Sequence, residues 1–200
     1  MLKKDQWPIA IFALLMLIVY GMIFFSRKNY EFIGYIVVVV FFAALIVFTN
    51  DKVKFPNFVL WWLAIWAFLH LSGGGISSGG WRLYDWIIVD IVGEPYLIFK
   101  YDQFVHIIGF FAATLAMYYL IKPKLKPDHK WAALGIVVVM AGLGAGALNE
   151  IIEFTATVMV PSTGVGGYEN TSLDLVSDMI GALIAFFYIK YKEKPKISAK

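Results

Sequence analysis

Six runs of apolar residues, 14 to 24 positions long, follow one another along the chain at 8–25, 32–49, 58–71, 104–121, 131–154 and 173–189. At ~1.5 Å per helical residue such runs match a hydrocarbon core of ~30 Å. Short polar stretches separate them, so the pattern predicts an all-α, polytopic transmembrane helix bundle of six spans forming a single domain over 1–200. The third run carries Trp61, Trp62 and Trp66 and ends at His70. It is expected to stop at the SGGGISSGG loop, because each glycine costs a helix roughly 1 kcal/mol relative to alanine. The stretch 81–100 is apolar but broken by Asp85, Asp90, Glu94 and Pro95. It reads as an interfacial helix or a re-entrant segment between spans three and four, with Trp81, Tyr84, Trp86 and Tyr96 suited to headgroup depth.

Composition agrees with a lipid environment: 60% of residues are hydrophobic and 16% are charged, with a mean hydropathy of +0.74. Without cysteine there is no disulfide framework and no thiolate metal site. The first run is longer than a secretory signal's apolar core and shows no small-residue cleavage site before Ser26, so it is expected to be a retained helix. Of the 17 Lys and Arg, 13 lie in the two terminal segments and the second and fourth connections, against four on the opposite side. By the positive-inside rule both termini are expected in the cytoplasm. The lysines serve orientation, which leaves no case for nucleic-acid binding.

This topology carries the polar residues to one side. His70 ends span three, Asp102 and His106 open span four, Glu150 and Glu153 end span five, and Asp174 and Asp178 open span six. Residues three or four apart share a helix face. Span four therefore presents Asp102, His106, Gly109 and Ala113 together, span five Gly142, Gly146, Glu150 and Glu153, and span six Asp174, Asp178, Gly181 and Ala185. Small residues let membrane helices approach closely, so the three stripes are expected to pack and to gather the polar pairs into one outer pocket.

Simpler roles exist for several of these residues. Asp102 and Asp174 could be helix caps, His70 a polar neighbour of the tryptophan belt, and His129 a solvated loop residue. Asp178 and Glu150 lie too deep for capping. Two like charges 4 Å apart at an effective dielectric of ~20 repel by about 4 kcal/mol, so the acids must share protons, pair with Arg82 or bind a cation.

His70 with GGG, then LYD, YDQFVH followed by Gly109, NEIIE, and ENTSLDLVSDMIGA resemble the YjdF-like family of integral membrane proteins. Several of these pieces are also similar to VanZ-like proteins, which share the Asp-x-x-x-His and Asp-x-x-x-(Asp or Asn)-x-x-Gly helix starts. Glu153 stands where VanZ-like chains commonly carry Gln. The resemblance runs from about 70 to 185 and, the family being bacterial and archaeal, implies the cell (inner or cytoplasmic) membrane of a prokaryote and a polar site without an established reaction.

Oxygen ligands with two imidazoles suit a divalent metal such as Mg²⁺, Mn²⁺, Zn²⁺ or Fe²⁺. The expected ligand set is His70, Asp102, His106, Glu150, Glu153, Asp174 and Asp178, with His106, Glu150 and Asp178 as the acid/base groups and His106 as the main proton carrier. The corresponding function is a metal-dependent or acid/base site acting on a lipid-linked or cell-envelope substrate. The alternatives are a proton- or cation-coupled transporter and a membrane scaffold with a structural cation. Membrane lipids are the expected partners, and an oligomer is compatible with the pattern.

Overall fold

The computed structural model describes residues 2–193, and the lysines at 194, 196 and 200 lie outside the described residues. Six helices long and apolar enough to cross a membrane account for most of it: α1 Trp7–Ser26, α2 Tyr30–Val53, α3 Asn57–Gly75, α4 Tyr101–Ile121, α5 Trp131–Met159 and α6 Tyr168–Glu193. The protein is thus an all-α polytopic bundle.

Hydrogen bonds define its two ends. At one end Gln6, which is 1% exposed, accepts from Asn50 Nδ2 at 2.7 Å and donates to the Phe55 carbonyl at 3.3 Å, while Lys122 pairs with Glu193 at 2.6 Å. At the other end the Arg27 guanidinium donates to the Gly75 carbonyl at 2.7 Å, and Arg82 donates to the Gly164 carbonyl at 2.9 Å. The first end collects the lysine-rich segments. The second collects most of the acids, Asp102, Glu150, Glu153, Asp174 and Asp178 among them.

α4 is the interior helix, packed against α3, α5 and α6. Its Val105, Ala112, Thr114 and Leu115 are at most 1% exposed, whereas α1 and α2 turn many apolar side chains outward, including Leu14, Met22, Val37 and Phe48. Such faces, apolar with no protein against them, are those a lipid-embedded bundle presents to acyl chains. The small-residue stripes set the approach of α4, α5 and α6. A Cβ at Gly181 would collide with the α4 backbone at Ile107, one at Gly142 with Thr114, and one at Gly146 with the Asp178 carboxylate. Gly109 departs from the expected pattern, since it faces the Trp66 indole of α3.

Three sequence expectations need correction. α3 does not stop at 71 but continues through Gly75. Aromatic rings take the space that side chains would occupy, Tyr84 over Gly73, Phe32 over Gly74 and Tyr20 over Gly75, and Arg27 satisfies a terminal carbonyl. Tertiary packing here overrides a propensity cost of roughly 1 kcal/mol per glycine.

The stretch 81–100 is not an interfacial helix. It begins with a two-residue antiparallel pairing of β1 (Ser77–Ser78) with β2 (Trp81–Arg82), makes one 3₁₀ turn at Leu83–Asp85, and returns to α4 through a bridge between Ile87 and Lys100. Its reversal is built locally: Asp90 Oδ1 accepts from the Gly93 amide at 2.6 Å, and Gly93 adopts a φ of 80°, a left-handed conformation that glycine takes at little cost.

The third correction concerns helix ends. α5 runs past Glu153 to Met159, and α6 starts at Tyr168, ahead of 173. Glu150, Glu153 and Asp174 therefore lie within helices, and Asp174 is no cap.

Candidate functional site

α6 places Asp174 and Asp178 one turn apart, both 0% exposed, facing α4 across the contact that Gly181 permits. His106 of α4 is also buried. Its Nδ1 lies 2.8 Å from Asp178 Oδ1, and its Nε2 lies 3.8 Å from Asp102 Oδ1 one turn earlier on α4. With Nδ1–H donating to the carboxylate, Nε2 keeps its lone pair on the side of Asp102. Asn170, one turn before Asp174 on α6, donates to Asp174 and also to Asp102 Oδ2 at 3.3 Å. From α5, Glu153 accepts from Asn149 at 2.9 Å. Two sets of ligand atoms converge to within 4.8 Å, Asp102 with His106 and Asp174, and His106 with Glu150 and Glu153. Five of the seven expected ligand residues, Asp102, Glu150, Glu153, Asp174 and Asp178, therefore gather around the imidazole of a sixth, His106.

Three carboxylate oxygens in this cluster are buried without a hydrogen-bond partner: Asp174 Oδ1, Asp178 Oδ2 and Glu150 Oε1. Asp178 Oδ2 lies against the α5 backbone at Gly146, one turn before Glu150. No lysine or arginine forms an ion pair with any of the five acids among the described residues. A buried polar oxygen without a partner costs on the order of 1–3 kcal/mol, and more when charged. Several such oxygens in one place require a proton or a cation between them.

His70 stands apart from both ligand sets. Its ring stacks on Trp66 with centroids 5.5 Å apart and meets Tyr35 edge-on at 5.4 Å. The Tyr84 hydroxyl donates to the His70 carbonyl at 3.0 Å and lies 2.6 Å from Nδ1. Burial pushes the Tyr84 phenol well above its ordinary value, and the nearby Asp102 carboxylate adds to the rise. His129, by contrast, is a half-buried loop residue at the opposite end, whose Nδ1 donates to the Lys126 carbonyl at 2.8 Å.

Beside the cluster lies a cavity of about 50 Å³ whose lining includes His70, Tyr84, Asp102, Glu153 and Asn170, together with Arg82 and Lys100. The α5–α6 loop closes over it. Buried Glu31 of α2 accepts from the Gly164 amide at 2.8 Å, and Arg82 donates to the Gly164 carbonyl.

Comparison with known proteins fits this arrangement of six apolar helices. The description "Predicted membrane protein (DUF2238)" belongs to a family whose profile matches residues 7–194. This chain belongs to the DUF2238 family. Membership makes it a membrane protein and brings no reaction with it. An uncharacterised protein of Thermotoga maritima is 29% identical over 85 residues, 42% of this chain and 44% of the relative. The chain thus spans less than half the length of that curated relative. No solved structure matches the chain.

Sequence reasoning missed three residues that shape the site. Asn170 sits at the same four-residue spacing from Asp174 that linked Asp174 to Asp178, so the face argument could have included it. Tyr84 and Glu31 act across 14 and 133 residues of sequence. Tyr84 stands out only as a headgroup aromatic and in the LYD piece, with nothing local tying it to His70, and no local signal points to Glu31.

Proposed function

We propose that this chain is a multi-pass protein of a prokaryotic cytoplasmic membrane whose acid–histidine cluster binds a divalent cation and acts on a lipid-linked or cell-envelope substrate from the outer side. The observation that carries this reading is the set of unpartnered buried oxygens on Asp174, Asp178 and Glu150 around His106. Asp102, His106 Nε2 and Asp174 are the first ligands, with Glu150 and Glu153 completing the shell from α5. Asp178 orients the imidazole from Nδ1, as carboxylates behind metal-bound histidines commonly do.

A divalent cation held there would supply Lewis-acid chemistry at a substrate or water oxygen, and a carboxylate of the Glu150–Glu153 pair is the base placed to accept a proton. His70 is held by Tyr84 and lines the approach to the cluster, a positioning role more than a ligand role. The single-domain organisation and the cytoplasmic placement of both termini belong to the same proposal. The likeness to VanZ-like chains rests on shared motifs and supplies no activity.

The test is elemental analysis of detergent-purified protein together with melting temperature measured against Mn²⁺, Zn²⁺ and Mg²⁺. A stoichiometric metal and a metal-dependent rise lost in Asp174→Asn support the reading. Absence of both in the wild type would overturn it.

A further inference from the structure

The loop 160–167 between α5 and α6 is tied down at one residue. Buried Glu31 of α2 accepts from the Gly164 amide through Oε2 at 2.8 Å, and Arg82 of β2 donates to the Gly164 carbonyl at 2.9 Å. Among the described residues, 161–166 makes no other hydrogen bond. None of 161–167 is buried either, so these two bonds hold the loop in place of a core. Both holding groups are themselves fixed. The Tyr35 hydroxyl donates to Glu31 Oε1 at 3.4 Å, and Arg82 Nε lies 3.4 Å from Asp85 Oδ2.

Glycine lets the chain lie this close. At Gly164 a side chain would strike the Arg82 guanidinium, and at Gly166 it would strike Asn170. Gly164, Val165 and Gly166 line the cavity of about 50 Å³, as do Asp102 and Glu153. That volume has room for a few water molecules or one ion, whereas sites for larger organic ligands measure roughly 300–1,000 Å³. A substrate of the class proposed above does not fit this cavity while the loop lies there.

We infer that this loop is a lid, clasped at Gly164 by Glu31 and Arg82, that opens to admit a ligand to Asp102 and Glu153. An anionic acceptor for the amide and a cationic donor for the carbonyl come from separate elements, so the clasp lets go at one point and the lid swings about its ends. The gating role rests on the proposed metal site. The opening itself does not.

The chain has no cysteine, so single cysteines report on the loop alone. Purified full-length protein in detergent, carrying Val165→Cys at a half-buried lining position or Ser162→Cys at an exposed one, is treated with a charged, water-soluble maleimide under native conditions. Val165→Cys should react more slowly than Ser162→Cys. Losing one charge-assisted bond raises the open fraction about tenfold, so Glu31→Ala and Arg82→Ala should each speed labelling of Val165→Cys by that factor and leave Ser162→Cys unchanged. Should either fail to fold, Gly164→Ala, whose methyl group displaces the Arg82 guanidinium, tests the same clasp. Asn50→Ala, which removes the buried contact with Gln6 at the opposite end, should lower the melting temperature without changing either rate.

A second arm follows release of bound Mn²⁺ into excess chelator. Electrostatics alone would move the two variants in opposite directions, since loss of a carboxylate weakens cation binding and loss of a guanidinium strengthens it. A lid predicts faster release in both. Val165→Cys that labels as fast as Ser162→Cys, or at a rate no clasp variant changes, overturns the lid. Faster labelling with unchanged or oppositely shifted Mn²⁺ release overturns its gating of the cluster. A wild type that binds no Mn²⁺ sinks the metal reading, and the labelling arm then decides the lid by itself.

Discussion

His106 Nδ1 on α4 and Asp178 Oδ1 on α6 are 2.8 Å apart, and this bond joins two helices at the point where Gly181 lets them touch. It fixes which imidazole nitrogen faces Asp102. The pair therefore has a positioning role distinct from that of Asp174, and the two aspartates should respond differently to substitution. Asp178→Asn keeps the shape but weakens the hold on the ring, and outer-shell changes of this kind typically cost about 10–100-fold in metal affinity. Asp174→Asn should abolish the metal-dependent rise in melting temperature. Equal behaviour of the two in a Mn²⁺ titration would refute the division of roles.

Asp178 and Glu150 should also be coupled. Both hold an unpartnered oxygen near one imidazole, so their effects on the metal response should not add. The double variant Asp178→Asn with Glu150→Gln is expected to lose no more metal-dependent stabilisation than the worse single variant. Strictly additive losses would mean two independent structural roles.

Helix contact can be tested without touching a ligand. Gly181→Ala puts a methyl group into the α4 backbone at Ile107, and overpacking of this kind costs roughly 1–3 kcal/mol. Gly144→Ala, on α5 with nothing within 4 Å of the added carbon, should be neutral or stabilise by up to about 1 kcal/mol. The order of the two melting temperatures decides the matter, and Gly181→Ala melting at or above Gly144→Ala would contradict the packing.

Tyr84 links the 81–100 excursion to His70. Tyr84→Phe removes its hydroxyl contacts with the His70 ring nitrogen and carbonyl, and each hydrogen bond contributes about 0.5–1.5 kcal/mol. The phenol's ionisation is raised in the folded protein, so its contribution is complete below the ordinary tyrosine value of about 10 and is lost as pH rises beyond it. Wild-type stability should fall more steeply than that of Tyr84→Phe on the alkaline side of pH 10. Parallel curves would show that Tyr84 ionises freely.

Sidedness rests on the distribution of Lys and Arg. Reporter fusions at both termini should read cytoplasmic, and one after Gly167 should read external. A cytoplasmic signal after Gly167 would place the acid cluster on the inner face.

Sequence alone determined the six helices, because an apolar run near the thickness of a bilayer has few other ways to satisfy its backbone. It also grouped His106 with Asp102, and Asp178 with Asp174, since helical periodicity assigns residues four apart to one face. Glycine at 142, 146 and 181 marked the faces that touch, because absence of a side chain is itself a packing signal. Tertiary structure decided the rest. It carried α3 through Gly73, Gly74 and Gly75, where rings from α1, α2 and the following loop replaced missing side chains. It turned Gly109 to Trp66, drew His70 to Tyr84 and away from the acids, and set the α5–α6 loop on Glu31 across 133 residues. These outcomes depend on contacts between segments distant in the chain, and a periodicity within one helix holds no information about which neighbour its face will meet.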